Sequence, residues 1–341
     1  AEIAEILEFT KKKENGIKSM VGENGINLSG GQKQRIGLAR AFIKKKEIII
    51  LDEATNQLDK KTEEKIYSNI KKNFPNITLI VITHNHNLLD FFDKNDLWKD
   101  TCLVLTTDHG FLLGEHDWWS KNRMPVYDEI AHIPLMIYHP EFSQQGGTRR
   151  KALTQSIDIM PTLLDMHSNK IPEDVLGKSL LPLMEQEHDI REAVIFGYFG
   201  AACNITDGRY VYYRYPEKLT AEGLYEYTLM PTRMTSRFSI KELTDATLEN
   251  PFGFSKGVPL LKLRPRANEV GDTIEVQGMN FEDTQTRLYD LWADPKQTSP
   301  INDPKTEARL VAAMIELMQE ADAPVELFDR FNLIRTEAAD V

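Results

Sequence analysis

Apolar positions along the chain fall into two kinds of pattern. In "NLSGGQKQRIGLARAF" (27–42) a polar, glycine-rich start gives way to apolar residues at Ile36, Leu38, Ala39 and Phe42. That spacing predicts a helix with one buried face, and Ser29 is placed to cap it. "EIIILDEAT" (47–55) is a short apolar run that predicts a strand over 48–51 ending in two carboxylates, Asp52 and Glu53. "KTEEKIYSNIKKNF" has the period of an amphipathic helix, and "ITLIVITH" predicts a second, buried strand over 77–83 ending at His84. "NLLDFFDKN" (87–95) predicts another amphipathic helix. Beyond it, Cys102 to Leu105 reads as a strand that runs into Asp108, His109 and Gly110. Near the end, Leu310, Met314, Ile315, Leu317 and Met318 form a helical stripe, read as core. A stretch at 264–278 has strand and turn character without nameable chemistry.

Composition changes this picture at one place. The 341 residues are 41% hydrophobic and 27% charged, ordinary for a globular protein of about two domains. The net charge of −11 argues against a nucleic-acid partner. Up to Leu97 there are 16 basic and 14 acidic residues, and 14 of those basic residues are lysine. After it there are 25 basic and 38 acidic residues, with 14 arginines, and 15 of the 16 prolines. The joint shift in charge, Lys/Arg usage and proline suggests two segments of different origin. Cys102 and Cys203 cannot build a disulfide framework, and one pair stays open. No apolar run approaches the roughly 20 residues that span a bilayer, and the amphipathic start lacks a secretory core. A cytoplasmic setting is expected. Without an initiating Met, the start reads as a fragment or processed end.

Each segment carries candidate chemistry beside a plainer alternative. Ser29-Gly30-Gly31-Gln32 opens a helix whose free N–H groups and positive dipole end suit an anion, although Ser-Gly-Gly alone is more often a capped surface helix. Asp52 suits Mg²⁺, and Glu53 suits polarising a water, although a strand ending in a solvated acidic turn is common. In the second segment, Asp108 offers a hard oxygen and His109 a nitrogen to a divalent cation such as Ca²⁺, Mn²⁺ or Zn²⁺. His116 and Lys121 follow closely as cationic help for a tetrahedral anion. Asp-His-Gly alone is more often a polar turn. Trp118 and Trp119 are read as packing, and His132 and His139 as structural histidines flanking a strand.

Taken in order, "VGENG", "LSGGQ", "IIILDE", "NQLD" and His84 resemble the later half of an ABC-transporter ATP-binding domain, over about 1–90. The resemblance implies a signature motif at Ser29, Gly30, Gly31 and Gln32, a Walker B strand with Asp52 and Glu53, a D-loop with Asp59, and a switch histidine at His84. It implies ATP and Mg²⁺, a second ATPase subunit and a transmembrane domain as partners. No G-x-x-x-x-G-K-[ST] loop precedes the signature; Gly177-Lys178-Ser179, with Pro172 in the first glycine position, reads as a decoy.

"DTCLVLTTDHGFLLGEHDWWSK" and its continuation resemble the sulfatase family of the alkaline-phosphatase superfamily, over 91–341. "TQSIDIMPTLLDM", "NITDGRYVYYRYP" and "LYDLWADPKQTSPI" extend the resemblance, with Asp290 and Asp294 read as structural. It implies Asp108 and His109 as metal ligands for Ca or Mn. Lys121 would contact the oxyanion, and His116 would be a second contact or proton donor. The substrate would be a small sulfate, phosphonate or phosphate ester. The family's [C/S]-x-P-x-R nucleophile motif does not occur in this sequence. The expected fold is α/β: a partial ABC-ATPase sheet joined to the C-terminal half of an alkaline-phosphatase-like domain with a small antiparallel subdomain. The chain reads as a splice of two partial domains, each with an unfinished site.

Overall fold

A computed structural model describes residues 1–43, 46–84, 88–121, 125–217, 223–230, 232–234, 236–265 and 284–335. Most of the 264–278 stretch lies outside the described residues. The chain divides into two compact units, Ala1–Cys102 and Leu103–Val341. The architecture is mixed α/β with small sheets.

The first unit contains α1 (Ile6–Thr10), α2 (Gly30–Ile43), β1 (Ile48–Asp52), α3 (Lys60–Asn73), β2 (Thr78–Ile82) and α4 (Leu88–Asn95). β1 and β2 pair in parallel, Ile48 opposite Thr78 through Asp52 opposite Ile82. Such a pair needs a crossover, which α3 supplies. Ile49 and Leu51 pack with Leu38, Phe42, Ile66 and Ile70 into one core, which Leu79 and Val81 flank. The other face of the sheet is bare, with Ile48 52%, Ile50 61% and Ile82 51% exposed. β2 is thus only partly buried, with Thr78 to Val81 intermediate and Ile82 exposed, where its apolar run predicted a buried strand. The run shows that a strand is apolar but not whether layers lie on both sides.

The second unit pairs β3 (Leu103–Thr106) with β6 (Leu135–Tyr138), and β4 (Leu112–Leu113) with β5 (Trp119–Ser120), around the short α5 (Asp128–Ala131). α6 (Ile159–Met166) and α7 (Leu181–Glu185) follow. β7 (Val194–Gly197), β8 (Cys203–Thr206) and β9 (Tyr210–Arg214) form antiparallel neighbours. After them come β10 (Glu226–Thr228), α8 (Ile240–Leu243), β11 (Thr247–Glu249) and β12 (Leu260–Leu263), then β13 (Arg287–Asp290), α9 (Pro304–Glu320) and α10 (Val325–Arg330). One antiparallel sheet has the order β13-β9-β8-β7 and a second has β10-β12-β11. Alternation along β9 sends Tyr212 to a cluster with Leu310, Met314 and Phe328. It sends Val211 and Tyr213 to another with Tyr215 and Tyr289. The α9 stripe is core, as its spacing predicted.

Several polar signals have structural ends. Asp158 is wholly buried and accepts from both guanidinium nitrogens of Arg191 at 2.6 Å and from the Lys178 and Gln155 amides. Lys178 Nζ donates to the Ile190 carbonyl and Ser179 Oγ to Asp165, so the Gly-Lys-Ser run braces α6. A side chain at Gly177 would meet the Ile157 carbonyl at 2.1 Å. Asp290 pairs with Arg209 at 2.8 Å, and Asp294 accepts from the Thr298 and Ser299 amides. Cys102 and Cys203 are separate free thiols, and burial pushes them up to about 11 and about 12. No helix among the described residues is long and apolar enough to cross a membrane.

Candidate functional site

In the first unit, Ser29 and Gln32 close a reciprocal cap. The Gln32 amide donates to Ser29 Oγ at 3.4 Å, and the Ser29 amide donates to Gln32 Oε1 at 3.1 Å. The S-x-x-Q spacing itself dictates this box. It starts α2, a 14-residue helix whose first residues are Gly30 and Gly31. Close approach to backbone requires glycine at 31, whereas at 30 the neighbour is the movable end of the Gln57 side chain. A Cβ on Gly30 would lie 1.7 Å from Gln57 Oε1, and one on Gly31 would lie 2.7 Å from the Gln57 carbonyl. Ser29, Gly30, Gly31, Gln32, Gln57, Asp59 and Thr62 border a cavity of about 380 Å³, with Arg35 at its side.

Asp59 caps α3, accepting from the Thr62 amide at 3.0 Å and the Thr62 hydroxyl at 2.8 Å. Those bonds hold its carboxyl below the ordinary value. Glu53 and His84 meet at the carboxyl end of the sheet, Nδ1 to Oε1 at 3.2 Å, and both are exposed. Glu53 holds a left-handed backbone, φ 46°, and its amide donates to the Ile82 carbonyl. Asp52 is exposed at the end of β1. Gln34 was not anticipated. Its side chain donates to the Glu53 carbonyl at 3.3 Å and accepts from the Gln57 amide at 2.9 Å, tying α2 to both loops. Its exposed face of α2 was the available signal.

In the second unit, Asp108 and His109 leave the end of β3 and engage each other, Oδ2 to Nε2 at 3.2 Å. Partial desolvation raises Asp108. The His109 charge and the hydrogen bonds from Thr107 and the His109 amide lower it by more, so its carboxyl sits below the usual value. His109 Nδ1 lies 2.9 Å from the Gly110 carbonyl. The Asp108 oxygen suits a hard divalent cation and the His109 nitrogen a softer one. Among the described residues, however, no three His, Cys, Asp or Glu side chains gather to hold one. Asp108 and His109 therefore form a pair, and no third donor joins them among the described residues.

His116 is the best-held candidate. Its backbone is left-handed, φ 53°, as is that of Asp117 at 59°. Such backbone is uncommon outside glycine and recurs at functional sites. The imidazole lies flat on Tyr127, centroids 3.5 Å apart and planes 5° apart, with Nε2 3.6 Å from Glu129 Oε2. α5 also reaches the Asp108 loop, because the Gly110 amide donates to the Ile130 carbonyl at 2.9 Å. A Cβ on Gly110 would lie 1.7 Å from the Glu129 carbonyl. Lys121 is exposed beyond β5. Trp118 is half-buried, but Trp119 is 72% exposed, so packing does not describe both tryptophans. Bulk predicted burial, but Trp119 sits in β5 opposite the exposed Leu113, on the outer side of that two-residue pairing. His132 pairs with Asp128 at 3.2 Å, which raises it, and His139 accepts from the Glu141 amide, both structural.

The candidate residues thus gather in two places, one at a glycine-rich helix start and one around α5. Comparison with known proteins separates them in the same way. Residues 1–56 match the family model for the ABC transporter, and residues 114–247 match that for N-sulphoglucosamine sulphohydrolase, C-terminal. The ATP-dependent lipid A-core flippase of Vibrio vulnificus is 41% identical over 113 residues, covering 33% of this chain and 19% of the flippase. The chain therefore spans about a fifth of the length of the curated relatives it matches. A bacterial Atm1-family ABC exporter with ATP bound shares 38% identity, covers 26% of this chain and 16% of its own, and has a TM-score of 0.25. A structure in complex with its substrate D-glucosamine-2-N,6-O-disulfate is 17% identical over 93% of this chain and 51% of its own, with a TM-score of 0.41. The N-terminal part resembles an ABC-transporter ATP-binding domain and the C-terminal part a sulfatase.

Proposed function

We propose that the second unit is the oxyanion-binding portion of a hydrolase of sulfate esters or of the related phosphonate and phosphate esters. His116 and Lys121 meet the ester oxygens, and Asp108 and His109 contribute two donors toward a Ca²⁺ or Mn²⁺ ion. What supports this reading above all is that α5 is bonded to the Asp108 loop while its side chains hold His116. Bond cleavage needs a nucleophile from outside the Cys/Ser-x-Pro-x-Arg-free sequence present. The test is a titration of the whole chain with inorganic sulfate, read by nuclear magnetic resonance. His116 and Lys121 should respond, and His116→Ala or Lys121→Ala should each weaken binding about tenfold, the size of one charge-assisted hydrogen bond. Binding that ignores both substitutions sinks the reading.

The first unit has a second reading, as a half-site that completes the nucleotide pocket of another ABC subunit at the inner face of a membrane. The cavity bordered by Ser29, Gly30, Gly31 and Asp59, and the Glu53–His84 contact, favour it. ATP and Mg²⁺ should raise the melting temperature of this unit only when a P-loop-bearing ATP-binding domain is added. An equal rise without that domain, or none with it, counts against the half-site.

A further inference from the structure

We propose that Glu129 is a positioning residue for His116. Its carboxylate takes the Nε2 hydrogen while the Tyr127 ring fixes the plane of the imidazole. This rests on the oxyanion reading of His116 given above.

His116 has little freedom. Its side chain is only 10% exposed, one ring face is covered by Tyr127, and Nε2 faces Glu129. Glu129 Oε2 is itself shut off from solvent and has no hydrogen-bond partner among the described residues. A buried carboxylate oxygen left unpaired is costly, and the nearby Nε2 is the group able to relieve it. A small turn of either side chain converts the 3.6 Å contact into a hydrogen bond. With one hydrogen fixed on Nε2 by Glu129, the second proton the ring takes up sits on Nδ1, and that N–H is the one it can donate to the ester oxygen, because the partner of one imidazole nitrogen sets the state of the other.

Glu129 can hold a direction because α5 is held. Gln297 accepts from the Asp128 amide at 2.7 Å and donates to the Tyr213 hydroxyl at 2.5 Å. Tyr127 meets Tyr213 edge-on at 6.1 Å, and the Gly110 amide closes the other side.

The experiment uses the whole chain with ¹⁵N-labelled histidine and reads the His116 ring nitrogens at a pH where the ring is neutral. The wild-type chain should carry the hydrogen on Nε2. Glu129→Leu, which fills the space without an acceptor, should give a mixture of tautomers in the neutral ring and, at a lower pH where the ring is protonated, about tenfold weaker inorganic sulfate binding. Glu129→Gln keeps an acceptor oxygen and should restore both. A wild-type hydrogen on Nδ1 overturns the proposal without any variant, as does an unchanged tautomer in a folded Glu129→Leu. If the tautomer shifts as expected but sulfate leaves His116 and Lys121 untouched, the oxyanion reading falls and the positioning by Glu129 stands.

Discussion

The parallel pair of the first unit and the four-stranded sheet of the second are covered in opposite ways. Parallel strands are ordinarily buried on both faces, while antiparallel ones tolerate a wet face. Here the parallel pair β1–β2 is covered on one face only, and Ile48, Ile50 and Ile82 point outward. The antiparallel strand β9 is enclosed on both, with Val211, Tyr212 and Tyr213 each 1% exposed. In the first unit the strand ends that carry the acids and the histidine are exposed. In the second the β13-β9-β8-β7 sheet is enclosed, while the β3–β6 pair that leads into the Asp108 loop leaves Leu105 54% and Met136 56% exposed. Site geometry and scaffold completeness are thus separable, and local motifs report only the first.

The comparison predicts unequal damage. Arg191→Ala strands a buried carboxylate in the second unit and should cost about 3–5 kcal/mol. Urea unfolding read by tryptophan fluorescence in a Trp98→Phe background checks this, since the other three tryptophans, Trp118, Trp119 and Trp292, lie in the second unit. Within β1, Ile49→Ala should cost about 2–5 kcal/mol, whereas Ile50→Ala, one residue on, should stay within about 0.5 kcal/mol. Equal losses at the two positions would mean that something covers the bare face.

A pH effect sharpens the contrast further. Burial raises Glu242, but the Arg233 guanidinium and the Ser239 amide lower it by more, to about 2. A depressed carboxyl stabilises above its unfolded value of 4.5 and loses that contribution as pH falls toward 2. Glu242→Gln should therefore flatten the acid limb of second-unit unfolding in that window. The smallest effect belongs to Ser29→Ala, about 1 kcal/mol from loss of the capping box, seen as a lower melting temperature of the first unit.

Short-range chemistry was legible in the sequence. The Ser29 cap, the β1 strand with its acidic end and the Met314 stripe each lie within a few residues, where spacing dictates geometry, whereas the Gln32 half of the capping box and the cap made by Asp59 were found only in the structure. Tyr127, Glu129 and Gln297 were not legible. Their roles arise from contacts with His116 and between α5 and a residue 169 positions away, which no local period encodes. The partial burial of β2 and the exposure of Trp119 were missed for the same reason. Hydrophobicity names a side chain's preference, and neighbouring layers decide whether it is met.

The account's central claim is that each unit contributes an unfinished set of catalytic groups. Release of nitrophenolate from 4-nitrophenyl sulfate by the whole chain, with Mn²⁺ present, tests it most directly. The expected result is no release above buffer from a preparation in which inorganic sulfate still shifts His116. Turnover at an ordinary enzymic rate, about 1–10³ per second, that disappears in His116→Ala would contradict it.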